Sequence, residues 1–364
     1  MKKKITCSIV GARGYAGLEL SKLLLAHPNV ELKFAFATSA FDLSQLISSS
    51  KAASVACKLD SEILNYMTDV VFLATPAEVS MELAPKLLAA GAKVIDLSGA
   101  FRLKFHGSAS DMKSVYGFEQ SAPAALAMAD YGLVPFAGPT SAKLIANPGC
   151  YATAIEMALI PLVRAGLVKL DSVVIDAKSG STGAGKKASE NLLFTEVDGE
   201  CLPYKVGRHQ HYPEIQEAIA LFAGGDRSVG AATEANDVKF EAHMTTSLLP
   251  VRRGITAGIY CRLSEKAIAA GSTASARIPE AYAKAFEGYG LVSVREGESS
   301  LLQLKRVVGT GRTHISFVVD GSKLYLFSCI DNLLKGAASQ AVENLNRLSD
   351  LPVETGLGNL EALK

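Results

Sequence analysis

Long apolar runs are missing from this chain of 364 residues. No segment approaches the ~20 consecutive apolar residues that a membrane span requires, so no membrane partner is expected. An excess of one charge is missing as well. The 37 basic and 36 acidic residues leave a formal charge of +1, and no like-charge block follows the N-terminal lysines. A nucleic-acid partner is therefore not expected. No CxxC pair occurs among Cys7, Cys57, Cys150, Cys201, Cys261 and Cys329. Scattered cysteines in a chain this long read as reduced thiols, which points to a cytoplasmic protein. Repeats and low-complexity tracts are absent too. What is present, 49% hydrophobic and 20% charged residues, has the balance of a globular enzyme, in a length that suits two domains.

The opening MKKKITCSIVGARG has the charged start of a secretory leader. Its apolar run, Ile5–Val10, is too short for a leader's hydrophobic region and ends at Gly11, so it reads as a buried strand. Further strands are predicted at 30–38, 69–76 and 93–98, with helices over 18–28 and 81–91. Strands alternating with helices imply βαβ units and a parallel sheet. Residues 36–60, rich in Ser and Ala, carry little signal. Beyond Cys150 a helix is predicted over 152–165. It is followed by a polar loop with GRHQHYPEIQ, strand-like stretches at 239–251 and 255–263, and a helix over 279–288. Clustered strands with few crossovers suggest an α+β domain on a mixed or antiparallel sheet. The segment 322–348 reads as a strand and then an amphipathic helix with Leu334, Ala338, Ala341, Val342 and Leu345 on one face.

Several motifs carry chemistry. GARGYAG (Gly11, Arg13, Gly14, Tyr15, Ala16, Gly17) follows the first strand and opens the first helix, where glycines and helix N–H groups can cradle a pyrophosphate. The second strand ends at Thr38 and Ser39, with no carboxylate before Asp42 to hold ribose hydroxyls. Small hydroxyls there suit a 2′-phosphate, which favours NADP(H) over NAD(H). KSGSTGAGKK contains GxxxxGK from Gly180 to Lys186, but Lys187 stands where a P-loop needs Ser or Thr, so an NTPase is not expected. Cys150, in ANPGCYATA, precedes a helical segment. A thiol on a first helical turn can have its pKa lowered by a unit or more from ~8.5, although cysteine is also a common core filler. Its proton-transfer partner must come from His27, His106, His209, His211, His243 or His314. The densest candidate segment holds His209, His211 and Glu214, where half of a metal site or a solvated polar loop are the competing readings; no metal is expected. Arg102, after the fourth strand in DLSGAFRL, suits a phosphate or carboxylate, or is an ordinary surface residue.

In this order, GARGYAG, DLSGAFRL, NPGCYATA, SGSTGAG, RHQHYPEI, LLPVRRGI and DNLLKGAASQAVENLN resemble the N-acetyl-γ-glutamyl-phosphate reductase family of arginine biosynthesis, from residue 5 to about residue 348. The resemblance implies an α/β protein: a Rossmann-type doubly wound parallel sheet over 1–149 plus about 331–364, and a second α+β domain of the glyceraldehyde-3-phosphate dehydrogenase-like type over 150–330. It implies NADPH-dependent reduction of an acyl phosphate, with Cys150 as nucleophile and His211 as acid/base. The cofactor set comprises the glycine loop, Thr38, Ser39, Thr75, Pro76, Ser98, Gly180, Gly183 and Asn332. Arg102, Asn147, Ser179, Ser181, Arg208, His209 and Glu214 are the expected substrate contacts. A homo-oligomer, dimer or tetramer, is implied as well. Three departures stand out: Gly99–Ala100 replaces Ala–Asp, VYGFEQ shifts the usual glutamate, and the arginine common after Thr38–Ser39 is missing. The same catalytic set would serve N-succinyl or aminoadipyl substrates. A non-catalytic dinucleotide-binding protein and a Cys–His hydrolase are the readings from other classes.

Overall fold

The computed structural model describes residues 4–104, 109–223, 240–269 and 273–358; His106 lies outside them. The chain forms two units, residues 1–149 with 337–364, and residues 150–336.

In the first unit, β1 (Ile5–Val10), β2 (Val30–Ala37), β3 (Ala56–Leu59), β4 (Val70–Leu73), β5 (Lys93–Asp96), β6 (Asp130–Tyr131) and β7 (Leu144–Ala146) build a sheet. Its order is β3-β2-β1-β4-β5-β7-β6 and every pairing is parallel. All of β4 and the last four residues of β1 are buried, as expected for central strands covered on both faces. The chain order reverses at β1, which places a crevice at the carboxyl ends of β1 and β4, where open sheets bind ligands. Helix Tyr15–Ala26 follows β1, and helix Ala77–Ala89 follows β4, starting earlier than periodicity predicts because Pro76 takes the cap position. The stretch of weak signal holds two short 3₁₀ turns and the edge strand β3.

The final helix, Ser339–Leu348, belongs to this unit and corrects the amphipathic expectation. Residues 339 through 346 are all buried, polar ones included. Gln340 Nε2 and Asn344 Nδ2 both donate to the Gly132 carbonyl, at 2.9 and 2.8 Å. The helix thus buries hydrogen-bonded amides beside its apolar stripe, which an apolar count alone does not anticipate.

In the second unit, β8 (Val173–Ser179), β9 (Leu202–Tyr204), β10 (Ala242–Leu248), β11 (Ile255–Arg262), β12 (Val292–Glu296), β13 (Thr313–Asp320) and β14 (Lys323–Ile330) form a mixed sheet. Its order is β12-β13-β14-β11-β8-β10-β9. Helix Cys150–Arg164 packs on β11 and β14 and also against helices His211–Ala223 and Thr273–Ala285. Enclosed on several sides, it buries every residue from Tyr151 to Leu162, which is why that stretch is apolar apart from the buried Thr153 and Glu156. The α/β sheet and the α+β second sheet agree with the fold expected from the sequence. Among the described residues, no helix is long and apolar enough to cross a membrane.

Candidate active site

In the first unit the glycine loop is held tightly at the β1–β4 crevice. Gly11 has φ +82°, and its N–H and that of Ala12 both donate to the Phe36 carbonyl, at 3.0 and 3.1 Å. A Cβ at Gly11 would lie 2.2 Å from the Ala74 carbonyl oxygen, and one at Gly17 would lie 2.3 Å from the Gly11 carbonyl oxygen. Side chains at either place would push the loop away from the sheet. The loop ends at Gly14, which caps helix Tyr15–Ala26 with no side-chain acceptor, and the first turn carries no acidic residue. An anionic group is therefore welcome at that helix end.

The end of β2 lies beside it. Arg13 Nη1 donates to Ser39 Oγ, joining the glycine loop to the end of β2, and Thr38 and Ser39 are exposed. The nearest carboxylate, Asp42, accepts from Ser44 N at 2.8 Å and Ser44 Oγ at 2.7 Å, which holds its pKa below the usual range. It is engaged in capping a 3₁₀ turn. The residues present at this corner are a cation and hydroxyls, which fit a phosphate better than a ribose diol. Thr75 Oγ1 meets Ser80 Oγ at 2.9 Å, and Ser98 Oγ donates to Asp96 Oδ2 at 2.7 Å. Burial raises the Asp96 pKa against the opposing hydrogen bonds and Arg102.

Arg102 and Asn147 occupy different surroundings from those expected of substrate contacts. Both are buried. Arg102 Nε donates to the Asn147 carbonyl and Nη2 to the Leu97 carbonyl, each at 2.8 Å. Asn147 N donates to the Asp96 carbonyl, Nδ2 donates to the Ala337 carbonyl at 3.1 Å, and Oδ1 accepts from Asn344. These bonds fix the turn that leads into Pro148, Gly149 and Cys150.

In the second unit Cys150 is the first residue of its helix and is partly exposed. Burial pushes the thiols of Cys261 and Cys329 up, to about 12 and about 11, and raises Cys7 further. Those cysteines are inert core residues; Cys57 lies in β3 and Cys201 in an exposed stretch before β9, so Cys150 is the cysteine that opens a helix. The neighbouring residue, Tyr151, packs edge-on against His209, with ring centroids 5.0 Å apart, and lies 6.1 Å from the His211 ring. The two histidine rings are 4.8 Å apart. His211 opens helix His211–Ala223 and Glu214 sits one turn along; His209, His211 and Glu214 are all buried, so the segment is not a solvated loop. Arg208 beside them is exposed.

Two tyrosines complete this cluster. Tyr204 Oη donates to Tyr151 Oη at 3.0 Å, and the Ser179 hydroxyl also meets Tyr151. Burial holds both phenols protonated, Tyr204 at about 12 and Tyr151 higher, and the charge of a Cys150 thiolate pushes both the same way. Tyr151 was legible as part of NPGCY, whereas Tyr204 had no sequence signal.

The SGSTGAG loop leaves the end of β8. Gly180 N donates to the Gly254 carbonyl at 2.9 Å, Ser181 N to the Val251 carbonyl at 2.9 Å, and Thr182 N to the Arg252 carbonyl at 3.1 Å. Asn332 pins both sides, accepting from Gly254 N at 2.8 Å and donating to Thr182 Oγ1 at 3.1 Å. A Cβ at Gly183 would lie 3.4 Å from Ser179 Oγ. Asp331, fully buried, accepts from Arg253 Nη2, Gly309 N, Leu333 N and Leu334 N. Among the described residues no group of three His, Cys, Asp or Glu side chains could hold a metal ion.

Two family models match the chain: the semialdehyde dehydrogenase NAD binding domain over residues 6–129, and the semialdehyde dehydrogenase dimerisation domain over residues 150–332. The N-acetyl-gamma-glutamyl-phosphate reductase of Streptococcus thermophilus is 39% identical over 357 residues, covering 96% of this chain and 97% of that protein. The one from Brevibacillus brevis is 37% identical over 361 residues, covering 97% and 98%. Solved structures share the fold. Aspartate semialdehyde dehydrogenase II of Vibrio cholerae, complexed with ASA, has a TM-score of 0.67 at 17% identity over 96% of this chain and 99% of that one. Aspartate semialdehyde dehydrogenase with NADP from Candida albicans has a TM-score of 0.63 at 14% identity, covering 98% and 99%. The chain belongs to the N-acetyl-γ-glutamyl-phosphate reductase family.

Proposed function

We propose that the chain reduces N-acetyl-γ-glutamyl phosphate to N-acetylglutamate 5-semialdehyde and phosphate, with NADPH as reductant, in arginine biosynthesis. The observation that carries this reading is the placement of Cys150 on a helix N-terminus, followed by a tyrosine that packs against both rings of the His209–His211 pair. The relatives of matching length carry the name of this activity.

The Cys150 thiolate attacks the γ-carbonyl carbon of the acyl phosphate. A C–S bond forms, the C–O bond to phosphate breaks, and phosphate leaves with the electron pair. The thioester that results is still activated, so one difficult reduction is divided into two easier steps. NADP(H), when bound, supplies the hydride. The glycine loop 11–17 would hold its pyrophosphate, and Arg13 with Thr38 and Ser39 would hold its 2′-phosphate, the groups that fit it at that corner. His211 donates a proton to the thiohemiacetal oxygen and recovers it as the C–S bond breaks, which releases the aldehyde and the thiolate. Backbone N–H groups at the start of helix Cys150–Arg164 would hold the developing oxyanion. Such donors are worth ~10²–10³ in rate each. Exposed Arg208 would supply a cation to the substrate carboxylate or phosphate, and Ser179, Ser181 and Glu214 would add polar contacts. The dimerisation-domain match supports a homo-oligomer, dimer or tetramer, and the chemistry is that of a cytoplasmic biosynthetic enzyme.

The reverse reaction tests the proposal. N-acetylglutamate 5-semialdehyde, phosphate and NADP⁺ should yield NADPH only when phosphate is present. Absence of turnover here, with turnover of the N-succinyl or aminoadipyl analogue, would reassign the substrate.

A further inference from the structure

His209 was expected to touch substrate, but its contacts lead elsewhere. Its Nδ1 accepts the backbone N–H of His211 at 3.2 Å, and its carbonyl oxygen accepts the N–H of Tyr212 at 2.9 Å. Two of the N–H groups that every helix start leaves unsatisfied are therefore met by this one residue. A ring that accepts through Nδ1 carries its proton on Nε2, and a protonated ring would turn a donor toward the His211 N–H. The ring is buried between Tyr151 (5.0 Å between centroids), Tyr204 (5.8 Å) and His211 (4.8 Å). Tyr151 and Tyr204 are themselves joined by their hydroxyls. Burial first, then His211 and Lys205, disfavour a charge on the ring, and Glu214 opposes them.

From this geometry we infer that His209 is a positioning residue: a neutral imidazole cap that fixes the first turn of helix His211–Ala223 and so aims His211. The inference rests on the role proposed above for His211. It separates the two histidines of HxH into one that moves a proton and one that holds the first in place. An asparagine has the right shape to test it, because its side-chain oxygen accepts the N–H two residues on, as Nδ1 of His209 does.

The experiment compares His209→Ala and His209→Asn with the wild type in the semialdehyde, phosphate and NADP⁺ assay. His209→Ala is expected to lower kcat by about 10- to 100-fold, the scale of a small misplacement of a catalytic group, with KM for the semialdehyde nearly unchanged. His209→Asn should restore most of the kcat. Amide hydrogen exchange at His211 should be fast in His209→Ala and slow in His209→Asn. A folded His209→Asn that is as slow as His209→Ala would overturn the inference, as would a rise in KM with kcat intact, since either assigns the Nε2 side of the ring to substrate. Where His209→Ala does not fold, folded His209→Asn decides alone. A wild type that makes no NADPH while the exchange pattern holds would count against the proposed reaction and leave the cap standing.

Discussion

Gly336 and Cys150 lie in contact: a Cβ built on Gly336 would sit 2.7 Å from the Cys150 Cβ and 3.1 Å from its Cα. Gly336 belongs to the π-helical turn Leu334–Ala338, whose start is held by Asp331. The neighbouring Lys335 is buried and donates to Tyr289 Oη at 2.7 Å, which leaves this turn little room to retreat. Gly336→Ala must therefore displace Cys150 or the turn. The expected cost is about 1–3 kcal/mol of stability, as for other overpacked sites, with kcat reduced by about tenfold or more. Urea unfolding and steady-state kinetics check it, and a variant with wild-type kcat would show that the contact is soft.

Cys150→Ser replaces the thiol at the helix start with a hydroxyl of far higher pKa. Turnover should fall by roughly a thousandfold or more, the scale seen when a covalent nucleophile is removed. Affinity for NADP⁺, titrated by fluorescence, should be unchanged, because the glycine loop belongs to the other unit. Retained turnover would remove the thioester from the mechanism.

The parallel sheet of the first unit was legible because β1 and β4 are short, mostly apolar runs soon followed by Gly11 and Pro76, with helical patterns between the strands. β3 was not legible, since Ala56–Leu59 is a partly buried edge strand with none of that pattern. The last helix misled in the other direction. Gln340, Asn344 and Asn346 look like a solvent face, but each finds a partner inside the fold. The same limit applies to the site. Cys150 and the HxH pair were visible as motifs, but residue type cannot say that Arg102 is committed to backbone carbonyls. Nor can it bring Tyr204 back across more than fifty positions to the Tyr151 hydroxyl. The first depends on the parallel sheet of the first unit being assembled, the second on the other sheet and its helices.

Arg13→Gln tests the cofactor corner. Arg13 and Ser39 are joined, and Asp42 is occupied by Ser44, so on the proposed reading Arg13 would supply the charge that meets a 2′-phosphate at this corner. Its removal should raise KM for NADPH by about tenfold, equivalent to ~1.4 kcal/mol, while KM for NADH changes little. Equal losses for both cofactors would assign Arg13 to the pyrophosphate instead.

Asp331→Asn addresses the loop that carries Asn332. The buried carboxylate accepts from Arg253 Nη2 at 3.0 Å, Gly309 N at 2.7 Å and Leu333 N at 2.8 Å. An amide turns an NH₂ toward at least one of these donors and removes the negative charge that Arg253 Nη2 meets. A destabilisation of about 3–5 kcal/mol is expected, as for other broken buried pairs. Urea unfolding measures it, and a loss under ~1 kcal/mol would mean that the neighbourhood relaxes around the amide.

The pH dependence of stability follows from the His209 cap. Burial, with His211 and Lys205 nearby, pushes the pKa of His209 down to about 2, whereas the unfolded chain takes up that proton near ~6.5. The folded pKa is the lower one, so the unfolded state binds more protons below ~6.5. The contribution is complete above that pH and is lost as the pH falls toward the folded value, at about 1.4 kcal/mol per pH unit. His27 and His314 are also lowered, chiefly by burial, and act in the same direction. Asp96, raised by burial, acts in the opposite direction. The His209 share is isolated by comparing wild type with His209→Asn, which keeps an acceptor but cannot titrate. Between about pH 6 and pH 4 the variant's stability should fall less steeply, by roughly one proton's worth of slope. Parallel curves from urea unfolding across that range would mean that His209 titrates in the folded protein much as it does in the unfolded chain, and the neutral cap would be wrong.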